Sequence, residues 1–395
     1  MGRLIRVGEP YGGKLVNRLV NEKDKERIER EAESMVKIKP HIDAIYDVDK
    51  IGIGAYSPLN GFMCLDDVRS VISRGRLSND LPWTIPIIMA PPEKENPGIV
   101  SAIGEGDEVA LLDASDRPFA LMHVEDKFEL EKKEFAKSIY GTLDMSHPNV
   151  RDLSDLGGIA LGGKIDQIKR LDLPVGRFEL TPTETRKTFE ENEWRTIAAY
   201  QCRNPPHAAH EYIQRCSLEI VDGLHIHPVV GRLKKGDYRP EIIMKAYDAV
   251  VKKYYRSDRV LLSSLSISMR YGGPKAALFL AIVRKNYGAT HFIVGRDLAG
   301  AKDAKGRDFY DPYECHRIFD EYDVGIIPLK YSEAFYCKAC GWMASSKTCP
   351  HDTSQHVSTS QTKIREMLRD GKKPPMEILR PEVAEVLSGT NLFVD

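Results

Sequence analysis

Two histidines three residues apart follow a short apolar run near the middle of the chain. Residues 196–200 predict a buried strand, and the pattern after them predicts a helix over 206–221 with His207 and His210 at its start. Free backbone N–H groups and the helix dipole make the start of a helix an anion site. Imidazoles there could donate hydrogen bonds to phosphate oxygens as charge develops on a leaving diphosphate. The segment therefore predicts a site for phosphoanhydride chemistry.

Polar side chains between the strand and the histidines strengthen this interpretation. An isolated His-x-x-His pair is most often a cap and a packing residue, because short motifs match by chance. Here Gln201, Arg203 and Asn204 stand directly upstream, while Pro205 and Pro206 fit the first turn of the helix. The combination favours a phosphate or oxyanion site over a structural pair.

A second polar turn follows another apolar run, residues 291–294. Gly295 would let a nucleotide approach the backbone, and Arg296 offers a planar fork for a tetrahedral oxyanion. Alone, Arg296 and Asp297 would be an ordinary surface pair after a strand. Beside the histidine segment, Arg296 supplies a second arginine that could hold a dianion next to a nucleotide.

Two further segments are compatible with ligand contacts but have simpler structural explanations. Residues 268–275 contain a Gly-Gly-Pro turn, which predicts a tight entry into a helix as readily as a ligand loop. Residues 358–365 combine hydroxyl groups with Lys363 and Arg365. A hydroxyl group at a helix start is more often an N-cap than a phosphate ligand.

Cysteines and histidines near the end of the chain predict a metal site. Cys337, Cys340, Cys349 and His351 have the ligand types and spacing of a closed tetrahedral zinc site, which would be structural. His356 could replace His351 as the fourth ligand. A redox pair is less favoured because a third cysteine follows closely, and buried free thiols are the remaining alternative.

The order of predicted elements places both polar turns on one parallel sheet. Strands and helices alternate over residues 196–328, which is typical of a parallel sheet covered on both faces. The predicted strands are 196–200, 224–230, 259–264, 291–294 and 323–328, and the predicted helices are 206–221, 240–254, 274–286 and 311–321. Sites in such sheets lie at the carboxyl ends of strands, where both polar turns begin.

The N-terminal part of the sequence has a different pattern. Its predicted elements are a charged helix over 21–39, strands at 84–90, 108–112 and 119–124, a helix over 129–140 and a glycine-rich hairpin near 157–163. Short strands separated by turn signals indicate a small barrel or sandwich.

Size and composition exclude several classes of protein. The 395 residues suggest two or three domains, and 57 basic against 58 acidic residues leave a net charge of −1, so the surface as a whole does not suit nucleic acid. No apolar run reaches the ~18 residues of a membrane span, and the first residues lack the apolar stretch of a signal peptide. Seven cysteines, three of them clustered, are typical of cytosolic thiols and a metal site. We therefore expect a soluble cytoplasmic protein.

Four motifs together resemble those of the ATP sulfurylase (sulfate adenylyltransferase) family. They are Tyr-Ser-Pro-Leu-x-Gly-Phe-Met at 56–63, Gln-x-Arg-Asn-Pro-x-His-x-x-His at 201–210, Met-Arg-Tyr-x-Gly-Pro at 269–274 and Gly-Arg-Asp-x-Ala-Gly at 295–300. The resemblance spans nearly the whole chain. It includes the Cys/His cluster, which is similar to the zinc site of some bacterial and archaeal members.

The resemblance implies a multidomain fold of the α/β and α+β classes. Its parts would be a PUA-like β-rich domain over 1–175, a Rossmann-like parallel α/β nucleotidyltransferase domain over 176–330 and a small zinc-containing domain over 331–395. With Asp395 as the last residue, we expect no fused adenylylsulfate-kinase-like domain. The family also implies a homodimer.

The implied reaction converts ATP and sulfate into adenylylsulfate and diphosphate, reversibly and with Mg²⁺, by in-line attack of sulfate on the α-phosphate. The residues implied as catalytic are Arg203, Asn204, His207, His210 and Arg296. The implied substrate contacts also include Gln201, Cys202, Gly295, Asp297, Leu298 and the Ala299 backbone. In this scheme the glutamine and Arg203 bind sulfate with help from Arg296 and the Ala299 backbone. The asparagine and the histidines orient the phosphates and stabilise the leaving diphosphate, and the 295–297 turn lines the nucleotide. Catalysis would depend on positioning and charge neutralisation, because sulfate needs no deprotonation.

Three residues depart from the family pattern. Cys202 stands where threonine is usual, Pro206 replaces a bulky apolar residue, and Leu298 stands where histidine is usual in Gly-Arg-Asp-His-Ala-Gly. The missing histidine removes one polar contact near the nucleotide, which could lower the rate or alter the balance between the two directions. The sequence leaves open which direction the cell uses.

Two alternative functions fit parts of the sequence. An adenylyltransferase acting on another acceptor, such as a mononucleotide, would use the same His-x-x-His helix start, but the paired Arg203 and Arg296 favour a small tetrahedral dianion. A non-catalytic RNA-binding protein would fit a PUA-like domain and a zinc knuckle. Near-zero net charge and the lack of a Lys/Arg stripe in the sequence oppose that function.

Overall fold

The computed structural model describes residues 7–233, 236–359, 361–372 and 374–394. The strands of the N-terminal region are β1 (Val36–Ile38), β2 (Gly61–Phe62), β3 (Glu108–Leu112), β4 (Pro118–His123), β5 (Asp126–Glu129) and β6 (Ile159–Gln167). Its helices are α1 (Glu22–Ser34), α2 (Ile42–Gly52), α3 (Leu65–Arg74), α4 (Ile99–Ala102), α5 (Lys132–Tyr140) and α6 (Pro148–Asp155). The strands form a mainly antiparallel sheet in the order β1–β3–β4–β6–β2, with β5 also paired to β6. The predicted β-rich region is therefore confirmed.

Several N-terminal elements differ from the sequence-based prediction: α2, α3, α4 and α6 were not predicted, and the helix expected over 129–140 begins at Lys132. The first helix ends at Ser34, and residues 36–38, predicted to continue it, form edge strand β1 beside β3. Residues 84–90 form no regular strand and contribute one isolated bridge. The expected glycine hairpin does not form: Gly162 and Gly163 lie inside one continuous strand, β6, where a Cβ on Gly163 would lie 2.0 Å from the carbonyl oxygen of His123. These glycines permit a close backbone approach rather than a turn.

The central region is a parallel sheet with helices on both faces, as predicted. Its strands are β7 (Ile197–Tyr200), β8 (Gly223–Ile226), β9 (Val260–Leu262), β10 (His291–Val294) and β11 (Ile327–Lys330). Its helices are α7 (Pro182–Glu191), α8 (Ala208–Leu218), α9 (Pro240–Tyr254), α10 (Pro274–Asn286) and α11 (Glu314–Glu321). The sheet order is β11–β10–β7–β8–β9, and every pair is parallel. The chain runs outward from β7 in one direction and then crosses to β10 on its other side, which makes the β7/β10 junction the topological switch point.

Several boundaries in the central region are wrong in the sequence-based prediction: β8, β9 and α8 end earlier than predicted and α11 begins later. Two further starts differ. Helix α8 begins at Ala208, so Pro205 and Pro206 precede the helix instead of forming its first turn. Strand β11 begins at Ile327, four residues after the predicted start, because it pairs with β10 in a register that places Ile327 beside His291. Both ends are set by contacts with distant parts of the chain, which a local pattern does not contain.

The C-terminal region is small and packs against the central helices. Its elements are β12 (Ala334–Cys337), β13 (Trp342–Ser345), β14 (His356–Val357), α12 (Gln361–Arg369) and α13 (Pro381–Leu387). The three strands form an antiparallel sheet in the order β13–β12–β14. Arg380 and the buried Glu211 of α8 form a two-pronged ion pair, with Nε 3.0 Å from Oε1. Ser360, part of the hydroxyl segment in the sequence, lies outside the described residues.

One apolar core joins the N-terminal and central regions. Helix α10 is buried over most of its length, and its Phe279 ring packs edge-on against Trp83 and Tyr56, with centroids 5.5 and 5.2 Å apart. Close packing of this kind fixes the relative positions of the elements that share the core. The N-terminal region is therefore able to hold the loops that follow the central strands.

Candidate active site

The two polar turns meet in one cavity at the carboxyl edge of the central sheet. Strands β7 and β10 are neighbours, so the turns that follow them face each other at the switch point. The cavity there has a volume of about 440 Å³. Among its lining residues are all those predicted to contact substrate: Gln201, Cys202, Arg203, Asn204, His207, His210, Gly295, Arg296, Asp297, Leu298 and Ala299. Parallel-sheet topology alone brings together residues almost a hundred positions apart.

His207 and His210 lie side by side at the start of α8. His207 is the N-cap residue with extended backbone, and its ring stacks on that of His210 with centroids 3.6 Å apart. Burial, and then the charge of His210, holds the pKa of His207 well below its usual value, so His207 is neutral. Nδ1 of His207 and Oε1 of Gln201 are buried and have no hydrogen-bond partner among the described residues. Buried polar atoms normally have partners, so these two are open to a ligand.

Cys202 contacts the second histidine of the pair. Its Sγ lies 3.7 Å from Nε2 of His210 and accepts a hydrogen bond from the backbone N–H of Asn204 at 3.4 Å. Burial alone would raise the pKa of the thiol, but His210 and the amide outweigh burial and lower the pKa of Cys202 to about 6. The contact with His210 therefore favours the thiolate form of Cys202.

Arg203 is held by an aromatic residue from the 268–275 segment. The carbon at the centre of its guanidinium lies 4.6 Å from the centroid of the Tyr271 ring, and its Nη1 donates to the Tyr271 hydroxyl. Burial lowers the pKa of Arg203, and the nearby charge of Asp237 acts in the opposite direction. The guanidinium stays protonated, and a cation desolvated in this way favours an anionic ligand.

Backbone strain shapes the turn that carries the second arginine. Asp297 and Ala299 have positive φ angles of 56° and 61°, a conformation that costs energy outside glycine and occurs preferentially at functional sites. Arg296 forms an ion pair with Glu333, with Nε 3.6 Å from Oε2, and both side chains are partly exposed. Exposed pairs of this kind are weak, so Arg296 can exchange Glu333 for a bound anion.

A residue of the C-terminal region also reaches the site. Arg365 of α12 donates from Nη2 to Oδ1 of Asn204 at 3.2 Å and from Nη1 to the carbonyl oxygen of Gly236 at 2.8 Å. The sequence singles out the 358–365 segment, yet only the fold shows that its arginine touches a residue 161 positions away. Tyr271 lines the cavity itself, and local pattern alone does not assign it to the site.

The predicted metal ligands converge within the small C-terminal sheet. The ligand atoms of Cys337, Cys340, Cys349 and His351 all lie within 4.8 Å of one another. Nδ1 of His351 is 3.5, 3.4 and 3.6 Å from the three sulfur atoms. A tetrahedral zinc ion with bonds of about 2.3 Å has ligand separations of ~3.8 Å, so the donor set fits a metal ion. Nε2 of His356 lies 3.6 Å from Cys349, outside the set of four.

Comparisons with known proteins agree over nearly the whole chain. A family model described as ATP-sulfurylase matches residues 176–390, and a PUA-like domain model matches residues 8–170. The sulfate adenylyltransferase of Pyrococcus abyssi is 45% identical over 391 residues, which cover 98% of this chain and 100% of that protein. The sulfate adenylyltransferase of Thermococcus onnurineus is 45% identical over 382 residues, covering 96% of this chain and 97% of the relative.

A solved structure shares the fold. The hexameric APS kinase from Thiobacillus denitrificans superimposes with a TM-score of 0.74 at 23% identity, covering 96% of this chain and 67% of that one.

Among the described residues, each helix is too short or too polar to span a bilayer.

Proposed function

Because the chain belongs to the ATP-sulfurylase family, we propose that it is a sulfate adenylyltransferase, which converts ATP and sulfate into adenylylsulfate and diphosphate. The observation that carries this proposal is the single cavity at the switch point, which combines Arg203 and Arg296 with the histidine pair at the start of α8. The family membership does not favour the mononucleotide or RNA alternatives.

Sulfate would bind between the two polar turns. The guanidinium of Arg203 is desolvated and held by Tyr271, and Arg296 can be released from its weak ion pair with Glu333. The amide of Gln201 lies in the same cavity, and its Oε1 has no hydrogen-bond partner among the described residues. Two guanidinium groups would offset the repulsion between sulfate and the triphosphate of ATP. A sulfate oxygen then attacks the α-phosphorus in line, with no proton to remove, so rate enhancement comes from orientation and charge neutralisation.

The diphosphate would leave toward the start of α8. His207 is neutral and can donate one ring hydrogen bond, while His210 and Asn204 supply further polar contacts on the same side of the cavity. The amide of Ala208 is already bonded to the Ile378 carbonyl at 2.9 Å, so the residues at the next positions of the helix would meet the leaving group. Charge that develops on the leaving oxygen is stabilised by donors that are in place before the reaction.

The nucleotide would lie against the second turn. A Cβ added at Gly295 would meet nothing within 4 Å, so the backbone there is open to a ligand. Asp297, Leu298 and the Ala299 backbone line the same wall. Mg²⁺ would neutralise part of the phosphate charge, and the carboxylates of Asp297 and Glu333 fit its preference for one or two protein carboxylates together with phosphate oxygens.

Several finer assignments belong to the same proposal. The ion in the Cys/His cluster would be zinc, held by the three cysteines and His351, and it would stabilise the C-terminal sheet without taking part in the reaction. We also propose a cytoplasmic homodimer whose functional divisions follow residues 1–175, 176–330 and 331–395. Three of the seven cysteines lie in the metal-ligand cluster, which is the cysteine usage expected of a reducing compartment.

Diphosphate release from ATP tests the proposed reaction. Purified protein with Mg²⁺ and ATP is assayed with sulfate, with nicotinamide mononucleotide, or with neither. The proposal predicts release that depends on sulfate alone. Release that depends on the mononucleotide instead would establish the alternative acceptor. Salt-sensitive RNA binding without any turnover would establish the RNA-binding alternative.

Metal analysis of two variants tests the zinc assignment. Cys349→Ser removes a ligand of the proposed tetrahedral set and is expected to lower bound zinc from one ion per chain toward none, with a lower thermal midpoint. His356→Ala is the matched control, because His356 approaches the cluster without belonging to it. Loss of zinc in the control and retention in Cys349→Ser would reverse the assignment of ligands.

A further inference from the structure

The segment that holds Arg203 is itself gripped by the N-terminal region. Asn149, at the start of α6, is buried and makes two hydrogen bonds to the backbone of this loop. Its Oδ1 accepts from the backbone N–H of Tyr271 at 2.7 Å, and its Nδ2 donates to the carbonyl oxygen of Met269 at 3.2 Å. One amide side chain therefore pairs with both ends of the three-residue stretch that carries the tyrosine.

His147, two residues before Asn149, also bonds to the backbone of Tyr271. Nε2 of His147 lies 3.0 Å from the Tyr271 carbonyl oxygen, which also accepts from the Tyr310 hydroxyl at 2.9 Å. Burial lowers the pKa of His147 to about 4, so the ring is neutral and its Nε2 carries the proton for this bond. Both the N–H and the C=O of Tyr271 are thus bonded to side chains.

The residue before the tyrosine is anchored to the N-terminal region by charge. Nη2 of Arg270 donates to Oδ2 of Asp47 at 2.7 Å, and Nη1 lies 3.7 Å from Oδ2 of Asp43. Arg232 bridges Asp43 to Asp152 of α6 at 3.1 and 2.9 Å. The Arg270 pairs hold the loop against α2, and the Arg232 pairs tie α2 to α6. The side chain of Tyr271 lines the cavity.

We propose that Asn149 is a positioning residue for sulfate, because it sets the Tyr271 backbone, and Tyr271 in turn holds the guanidinium of Arg203. The inference rests on the proposed function, since it takes Arg203 as a sulfate ligand. It gives the N-terminal region a part in the reaction without any contact with substrate. Displacement of a binding group by a fraction of an ångström is enough to weaken a charged contact of fixed geometry.

The test compares two buried asparagines of the same region in the full-length protein. Asn149→Ala is expected to raise the KM for sulfate about tenfold, with the KM for ATP changed by less than about twofold. Asn96→Ala is the matched control, because Asn96 is equally buried and also bonds to backbone, at Lys39 and Pro92, away from the loop. We expect the control to lose similar stability with both KM values unchanged.

A second variant keeps the proposal testable if Asn149→Ala fails to fold. Tyr271→Phe removes only the hydroxyl that Arg203 contacts, and it is expected to raise the KM for sulfate about threefold to tenfold while sparing that for ATP. Where both single variants fold, the double variant is expected to show less than the product of the two effects, because both act through Arg203.

Three results would overturn the inference: an unchanged KM for sulfate in folded Asn149→Ala, an unchanged KM for sulfate in Tyr271→Phe, or an equal rise in the Asn96→Ala control. These outcomes differ from failure of the proposed function. In that case the folded wild type itself would show no sulfate-dependent release of diphosphate.

Discussion

A fully buried lysine and a half-buried arginine, in two parts of this molecule, have very different surroundings. Lys50, between the N-terminal and central regions, has its Nζ 2.8 Å from Asp49 and 2.5 Å from Glu179. Burial alone would lower the pKa of Lys50, but the two carboxylates outweigh burial and raise it. Burial also lowers the pKa of Arg203 in the cavity, and there the shift remains downward because Asp237 compensates only in part.

The difference separates charges that hold the fold from charges that are kept for a ligand. Further hydrogen bonds satisfy the Lys50 cluster, since Glu179 accepts from Ser264 and Ser266. Arg203 contacts the hydroxyl and ring of Tyr271, which orient the guanidinium without neutralising it. Binding of a dianion requires a cation that is already oriented and whose charge is only partly neutralised by nearby protein carboxylates.

Removal of the cavity arginine is expected to have the largest effect. Arg203→Ala should lower kcat/KM by about 10³–10⁵-fold, the range for an arginine that stabilises transferring phosphoryl charge. The thermal midpoint should stay unchanged or rise, because a desolvated charge is removed. Arg203→Lys keeps the positive charge but not the planar guanidinium, so its kcat/KM is expected to lie between those of the wild type and Arg203→Ala. A large loss of stability in Arg203→Ala would break the comparison.

Removal of the paired lysine is expected to act on stability instead. Lys50→Met leaves the buried Glu179 without a cation, while Asp49 keeps its ion pair with Arg170 at 2.8 Å, so the free energy of unfolding should fall by about 3–5 kcal/mol. The control Lys252→Met removes an exposed pair with Asp248, 2.7 Å long, and should cost less than about 1 kcal/mol. Denaturant titration measures both. Equal losses in the two variants would contradict the distinction.

The thiol in the cavity offers a smaller effect with a defined pH dependence. The thiolate is the reactive form, so alkylation of Cys202 should accelerate with rising pH around a midpoint near 6. In His210→Gln the midpoint should move up toward the ordinary thiol value, and the rate at pH 7 should fall roughly tenfold or more. Cys64 serves as internal control, because burial and then Asp126 raise its pKa to about 11. Mass spectrometry of both peptides measures the rates, and a midpoint unaffected by His210→Gln would contradict the pairing.

The smallest expected change concerns Leu298, one of the three residues that depart from the family pattern expected from the sequence. Leu298→His restores the polar side chain usual at that position, and one added hydrogen bond should change kcat or the KM for ATP by about twofold to tenfold. Steady-state assays in both directions measure the change. A gain of several hundredfold would show that Leu298, rather than the arginines, limits the present activity.

The periodic elements and the motifs beside them are predictable from the sequence. Helices 240–254 and 274–286 and strand 291–294 occur at the predicted residues, and both polar turns lie at carboxyl ends of strands as expected. Local signals of this kind depend on residues only a few positions apart. The sequence also brings the metal ligands close together along the chain.

Features that depend on distant contacts were not predictable. In the sequence Gly162 and Gly163 resemble turn residues. In the structure they lie in β6, where the strand passes close to the backbones of Cys64 and His123. The same holds for Arg365 at Asn204, because only the packing of the C-terminal region against the centre brings them together. Such contacts follow from the tertiary fold, which overrides local preference.

Formation of ATP from adenylylsulfate and diphosphate tests the central claim most directly. The assay uses folded, metal-loaded protein with Mg²⁺ and compares wild type, Arg203→Ala and Lys50→Met at a temperature where all three remain folded. The account predicts ATP formation by the wild type and by Lys50→Met, and its loss in Arg203→Ala. No ATP from the wild type, or equal ATP from Arg203→Ala, would contradict it.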